Sequence, residues 1–276
     1  MPLKIYFLIS LVSLSGTLVA AFLLAHWYEA WKSGERSRIF KNTLSVFLFV
    51  VLGLVLSTLF IPCFSLTTNV VCHGPKNEKW IALTFDDGPN EPYTSQILDI
   101  LDREHVPATF FPLGKNSRLY PQVIRRMAET GYVIGNHSWD HRSMVWMGPE
   151  EVLNEIEGWE KSIDISYQPG LRLFRSPHGW KNPFMESQLK KKGYHLIGWS
   201  RGVWDSDQPG EEVLLQRLLK KPTNGEMILL HDGEDIKVGA DRRQTVAILP
   251  ALIHEYRRQG FQFVTIPQIL ERQATP

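Results

Sequence analysis

Residues 81 to 92 read "IALTFDDGPNEP": an apolar run that looks like a buried strand ends in two adjacent carboxylates, Asp86 and Asp87. Asp, Gly and Pro are turn formers, so the local reading is a sharp loop carrying an awkward pair of like charges. Four further segments alter that reading. "YVIGNHSWDH" sets His137 and His141 four residues apart, "LRLFRSPHG" carries Arg175 and His178, "HLIGWSRGVWD" ends on Asp205, and "EMILLHDG" presents His231. Each time, an apolar stretch runs straight into titratable side chains. A single histidine is more often a hydrogen-bonded structural residue than a ligand, but two imidazoles four apart on one side of a helical turn can reach one ion. One carboxylate completes an Asp, His, His set, whose open fourth position marks catalytic rather than structural zinc sites. Only one aspartate is needed as ligand, which leaves the other free to act as a base. Adjacent carboxylates repel unless positive charge is near, and a metal with an arginine would provide it. Iron(II) oxygenases also use two histidines and one carboxylate; the additional Asp, Arg and His favour hydrolytic chemistry here.

The elements that must position these residues alternate along the chain from about Lys76. "WIALTF", "ATFFPLG", "YVIGNH", "LRLFRSP", "HLIGWS", "EMILLHD" and "FQFVTI" read as strands. Between them "TSQILDILDREH", "PQVIRRMAETG", "PEEVLNEIEGWEKSI", "NPFMESQLKKKG", "EEVLLQRLLKK" and "DRRQTVAILPALIHEYRRQG" space apolar residues at helical intervals. Strands separated by helices imply parallel βαβ units. The expected fold is therefore α/β, a distorted (β/α) barrel of about seven strands, with its reacting groups at the carboxyl ends of the strands.

The first third of the 276-residue chain differs from the rest. Ile5 to Ala25 holds no charge, and a second apolar run follows between Lys41 and Lys76. Each is about the twenty residues a helix needs to cross a bilayer. A cleaved signal peptide ending near "LVAA" competes for the first run, and buried core helices compete for both. The favoured division is a transmembrane helix at 5–25, a basic cytoplasmic loop at 26–42, a second transmembrane helix at 43–63, a linker at 64–78 and a catalytic domain at 79–272. In the loop, Lys32, Arg36, Arg38 and Lys41 outnumber Glu29 and Glu35, which by the positive-inside rule puts the domain on the extracytoplasmic side. Trp27, Tyr28 and Trp31 stand where an interfacial aromatic belt would. Cys63 and Cys72 are the only cysteines and could close a small disulfide on an oxidising side. Thirty basic against twenty-nine acidic residues give a net charge of +1, so no global field points to nucleic acid, and no protein partner is inferable.

"TFDDGPN", "NHSWDH", "RSPHG" and "LLHD", in this order, resemble the NodB-homology polysaccharide deacetylases, carbohydrate esterase family 4, across roughly Lys79 to Ile269. The resemblance implies a distorted (β/α) barrel with one divalent metal, usually zinc, that removes acetyl groups from chitin-like polymers, peptidoglycan or xylan. By motif, Asp86 would be the general base, Asp87, His137 and His141 the metal ligands, Arg175 the partner of Asp86, and His231 the general acid. Asp205 would orient His231, the backbone N–H of His178 would stabilise the oxyanion, and Leu229 would line the pocket for the acetyl methyl. Two departures stand out. His178 occupies a position usually aromatic, and "GVWDS" has Gly202 and Ser206 where the family's D-x-x-D-W has Asp and Trp. Alternatives within reach are a membrane-surface deacylase of a lipid-linked amino sugar and an inactive carbohydrate-binding pseudoenzyme.

Overall fold

The computed structural model describes residues 28, 36–163, 172–235 and 239–274. The chain divides into two units, Met1–Leu59 and Phe60–Pro276. The apolar run 5–25 lies outside the described residues, as does most of the basic segment after it. The run expected at 43–63 is part of a helix α1, Arg36–Phe60. Its stretch Lys41–Phe60 is the one helix among the described residues long and apolar enough to cross a membrane. Phe47, Leu48 and Leu52 are more than half exposed, whereas a soluble core helix would bury such side chains.

The first strand of the second unit is β1, Val70–Val71, which lies within the 64–78 stretch expected to be a linker and pairs with a later strand. A Cys63–Cys72 disulfide closes the segment before it. Then come β2 (Trp80–Asp86), α2 (Tyr93–Arg103), β3 (Ala108–Phe111), α3 (Gly114–Leu119), α4 (Pro121–Glu129), β4 (Val133–Ile134) and α5 (Pro149–Glu160). After them follow β5 (Arg172–Phe174), α6 (Pro183–Lys191), β6 (Tyr194–Ile197), β7 (Arg201–Gly202), α7 (Glu211–Leu219), β8 (Glu226–His231), α8 (Arg243–Arg258), β9 (Gln262–Phe263) and α9 (Ile266–Ala274).

Every strand ladder is parallel. The nine strands among the described residues, two more than expected, form a sheet β1-β6-β5 and a sheet β4-β3-β2-β8-β7, with β9 also on β2. Two features draw the sheets into a distorted barrel. Asn136 bridges to Phe174, and β6 and β7 lie in different sheets although only residues 198–200 separate them. The side chain of Arg201 anchors that crossing on Glu226 of β8, with Nε 2.8 Å from Oε2.

β2 is the central strand, and its period of two sets the layers. Ile81, Leu83 and Phe85 face the helices with Ile97, Leu101, Leu249 and Leu252. Ala82 faces the interior with Phe111, Leu173 and Met227. Thr84 and Asp86 share that inward face by the same alternation, so an acid at the last strand position must point into the barrel. Helix α9, which follows the last strand, packs Ile266 and Ile269 against Val71, Ala82 and Met227 and fills the interior near the start of β2.

Because Leu83 is fully buried in the central strand, Leu83→Ala should lower unfolding free energy by about 2–5 kcal/mol, read as a lower urea midpoint of the detergent-solubilised protein.

Candidate metal centre and active site

Strand register brings the first two reactive groups together. Asp86 pairs with His231 across β2 and β8, so a carboxylate and an imidazole end neighbouring strands on the same face. Asp86 is almost fully buried, and its Oδ1 accepts a 2.7 Å bond from Arg175 Nη1. The same Nη1 donates to Thr84 Oγ1 at 2.8 Å, and Nη2 to the Gly198 carbonyl at 3.0 Å. The guanidinium also lies 4.2 Å over the Phe111 ring. Burial lowers the Arg175 pKa and Asp86 opposes that.

Asp87 follows the strand with φ 73°, a left-handed conformation that Asp tolerates better than most residues. Asn116 Nδ2 holds its carbonyl at 2.7 Å. Gly233 packs so closely on that carbonyl that a Cβ would lie 2.1 Å from the oxygen; only glycine fits there. The turn thus sends Asp87 away from the direction of Asp86, toward the histidines.

His137 and His141 do converge, with ring centroids 5.0 Å apart. They do so in a loop, with Ser138 at φ 71° and His141 at φ 66°, rather than on the helical turn expected from their spacing. His137 Nδ1 is 2.8 Å from the Arg175 carbonyl, and His141 Nδ1 is 2.9 Å from Asp235 Oδ2. An acceptor at each Nδ1 fixes the tautomer and turns the Nε2 lone pair inward. Both Nε2 atoms stand near Asp87 Oδ1, at 3.3 and 3.4 Å, and that buried oxygen has no hydrogen-bond donor among the described residues. Three converging lone-pair atoms, all within 4.8 Å of one another, repel unless a cation sits among them. The donor set therefore fits a divalent metal ion. Burial would raise the Asp87 pKa, but His141 and His137 outweigh it and hold the carboxyl far below its usual range. Burial disfavours charge on His141, but Asp87 and Asp235 outweigh it and push its pKa up. Their field is the one a bound cation would occupy.

His231 is held from the other side. Asp205 Oδ1 is 2.8 Å from its Nδ1, and Asp205 Oδ2 accepts from its backbone N–H at 2.8 Å. Thr245 Oγ1, on α8, donates to the same Oδ2 at 2.9 Å. Burial works to lower the His231 pKa, but Asp205, then Asp87 and Asp86, raise it to about 9. That direction favours an imidazolium able to donate from Nε2. These groups line an open cleft of about 400 Å³. Leu229, His178, Gly202 and Ser206 also line it, as do Trp180, Trp199 and Trp204. His178 sits at φ 58° with its ring 4.6 Å from His141; burial and His141 lower its pKa to about 4.

All nine residues singled out in the sequence meet at this cleft or directly behind it. The sequence reading missed Thr84, Asp235 and Thr245. Thr84 was visible as the inward neighbour of Asp86 two positions earlier. Asp235 had only the acidic run "HDGED" as a signal, and Thr245 had none. Removing the Asp235 carboxylate by Asp235→Ala should weaken metal binding about 10- to 100-fold, the usual effect of losing a carboxylate that orients a histidine ligand, measured by titration against a competing chelator.

The family model for polysaccharide deacetylase matches residues 73–197. A peptidoglycan-N-acetylglucosamine deacetylase of Bacillus cereus is 36% identical over 209 residues, covering 74% of this chain and 94% of that protein. A chitooligosaccharide deacetylase of Sinorhizobium fredii is 33% identical over 195 residues, covering 68% and 90%. Among solved structures, a peptidoglycan N-acetylglucosamine deacetylase bound to a naphthyl N-hydroxybenzamide is similar with a TM-score of 0.68 and 28% identity, covering 72% of this chain and 92% of that one. A CE4 family pseudoenzyme from Bacillus anthracis shares the fold at a TM-score of 0.66 and 24% identity, covering 74% and 70%, so the fold alone does not decide activity and the residues of the cleft must. With those residues in place and relatives matched across nearly their whole length, the chain belongs to the polysaccharide deacetylases of carbohydrate esterase family 4.

Proposed function

We propose that this chain removes N-acetyl groups from amino sugars of a cell-surface glycan of the peptidoglycan or chitin-like type. The observation that carries this reading is the Asp86–His231 register. It sets a carboxylate braced by Arg175 beside an imidazolium braced by Asp205, with the Asp87–His137–His141 cluster against them. The domain is tethered by α1, with a second span at 5–25, and works on the extracytoplasmic side. The basic residues Lys32, Arg36, Arg38 and Lys41, before and at the start of α1, and the Cys63–Cys72 disulfide support that side.

Asp87, His137 and His141 would hold a divalent metal, zinc in this proposal, which would supply Lewis acidity when bound. Asp86, fixed by Arg175, accepts the proton of the water that adds to the acyl carbon. The backbone N–H of His178 donates to the developing oxyanion, a contribution worth about 100- to 1,000-fold in rate. His231 gives its Nε2 proton to the sugar nitrogen as the C–N bond breaks, because an amide anion does not leave unassisted. Acetate and a free amino sugar result. Leu229, which lines the cleft, is assigned to the acetyl methyl. Gly202 and Ser206 leave the cleft wider where the family's Asp and Trp would stand, which bears on the glycan and not on the acid–base pair. The presence of base, acid and all three ligands argues against a pseudoenzyme.

Asp86→Asn should lower kcat for acetate release about 100- to 10,000-fold while metal content stays at one ion per chain; wild-type turnover in that variant would refute the role of Asp86. Activity should fall as pH rises through about 9, where His231 loses its proton. Asp205 raises that pKa, so Asp205→Asn should move the alkaline limb of kcat/KM downward, toward the ordinary imidazole value of about 6.5; an unmoved limb would assign it to another group.

A further inference from the structure

The first residues of the second unit, from Phe60 onward, are held against one wall of the cleft. Phe60 is the last residue of the apolar stretch Lys41–Phe60. Immediately after it, the buried Lys181 ammonium donates to the carbonyls of Ile61 at 2.6 Å, Pro62 at 3.2 Å and Gly179 at 3.4 Å. Gly179, at φ +71°, packs so tightly that a Cβ would meet Pro62 Cγ at 2.6 Å. The Cys63–Cys72 bridge then fixes the chain to β1.

Phe60 also begins an aromatic series. Its ring centroid is 5.5 Å from Trp180 and 6.4 Å from Trp146. Trp180 lines the cleft, and its ring is 4.9 Å from His178. The same segments expose large apolar side chains: Trp146 is 78% exposed, Leu66 61% and Phe184 50%. They are tied into one region, because Asn182 Nδ2 bonds the Met144 and Met147 carbonyls at 2.6 and 2.9 Å and Ser65 donates to Glu186 at 2.7 Å. Tryptophan and phenylalanine left in water beside the end of an apolar helix match the headgroup zone, where an amphipathic ring is half wet. That zone is about 5–8 Å deep on each side of the hydrocarbon. Rings within 6.4 Å of Phe60 therefore fall inside it.

We propose that Phe60, Trp146, Trp180 and Phe184 form a bilayer-docking surface that holds the mouth of the cleft at headgroup level, so that the preferred acceptor is an N-acetylated amino sugar carried on a membrane lipid. The acceptor half of this proposal rests on the deacetylase reading; the docking half does not.

The full-length protein in vesicles of equal phosphatidylethanolamine and phosphatidylglycerol tests both halves. Benzoylphenylalanine placed at position 146 or 184 should give lipid adducts on illumination, as it should at position 49 within α1, whereas position 213 on α7 should give none. Adducts at 49 alone, or adducts only to protein at 146 and 184, would overturn the docking surface. In the same vesicles, kcat/KM should favour lipid-linked N-acetylglucosamine over soluble chitooligosaccharide. Trp146→Ser with Phe184→Ser should lower the lipid-linked value about tenfold and leave the soluble one unchanged. Equal loss on both substrates, or no preference for the lipid-linked one, would overturn the acceptor assignment. Release from neither would refute the deacetylase reading, while the adducts still decide the docking surface.

Discussion

The site depends on a buried guanidinium. Arg175 is fully buried, and an unpaired charge there would cost several kcal/mol. The barrel meets that cost with Asp86, the Thr84 hydroxyl, the Gly198 carbonyl and the Phe111 face. These partners come from β2, β3 and the crossing between β6 and β7, so the charge can be held only once the sheets have closed. The same residue offers its carbonyl to His137. One side chain and one carbonyl thereby orient both the Asp86 carboxylate and a histidine of the metal cluster, and a shift of Arg175 would disturb both together.

Around that centre the charges are arranged to need a cation. Asp86, Asp87, Asp205 and Asp232 are all nearly inaccessible to water, and Asp235 adds a fifth carboxylate at His141. Each has a different solution. Asp86 is paired with Arg175 and Asp205 with His231. Asp232 takes a hydroxyl from Thr94 at 2.7 Å, and burial raises its pKa to about 7. Asp87 is left facing two imidazoles whose outer nitrogens are already engaged, which is why its buried oxygen calls for a metal rather than a proton. Two adjacent aspartates thus reach opposite fates because one ends a strand and the other begins a left-handed turn.

The wall of the cleft is built differently from its floor. The floor comes from strand ends, whose spacing is set by the ladders. The Trp180 wall is braced by chain that lies before the first long strand: Lys181 grips two carbonyls there, and the disulfide fixes the remainder. Floor geometry follows from strand register, whereas wall geometry depends on side-chain contacts of loop segments.

The sequence by itself determined the alternation of strands and helices, the inward placement of Thr84 and Asp86 by period two, and the set of strand ends bearing titratable groups. Those are local properties, legible because strand and helix periods are short. It could not determine how His137 and His141 meet: their spacing suggested a helical turn, and positive-φ residues do it instead. Nor could it reveal that a strand lies within residues 64–78, that α9 fills the barrel, or that the chain between Ile197 and Arg201 carries one strand's direction from one sheet to the other. Asp235 and Thr245 became recognisable only through their distances to His141 and Asp205. Their contributions depend on contacts across 94 and 40 residues of sequence, and closing the barrel is what makes such separations a few ångströms.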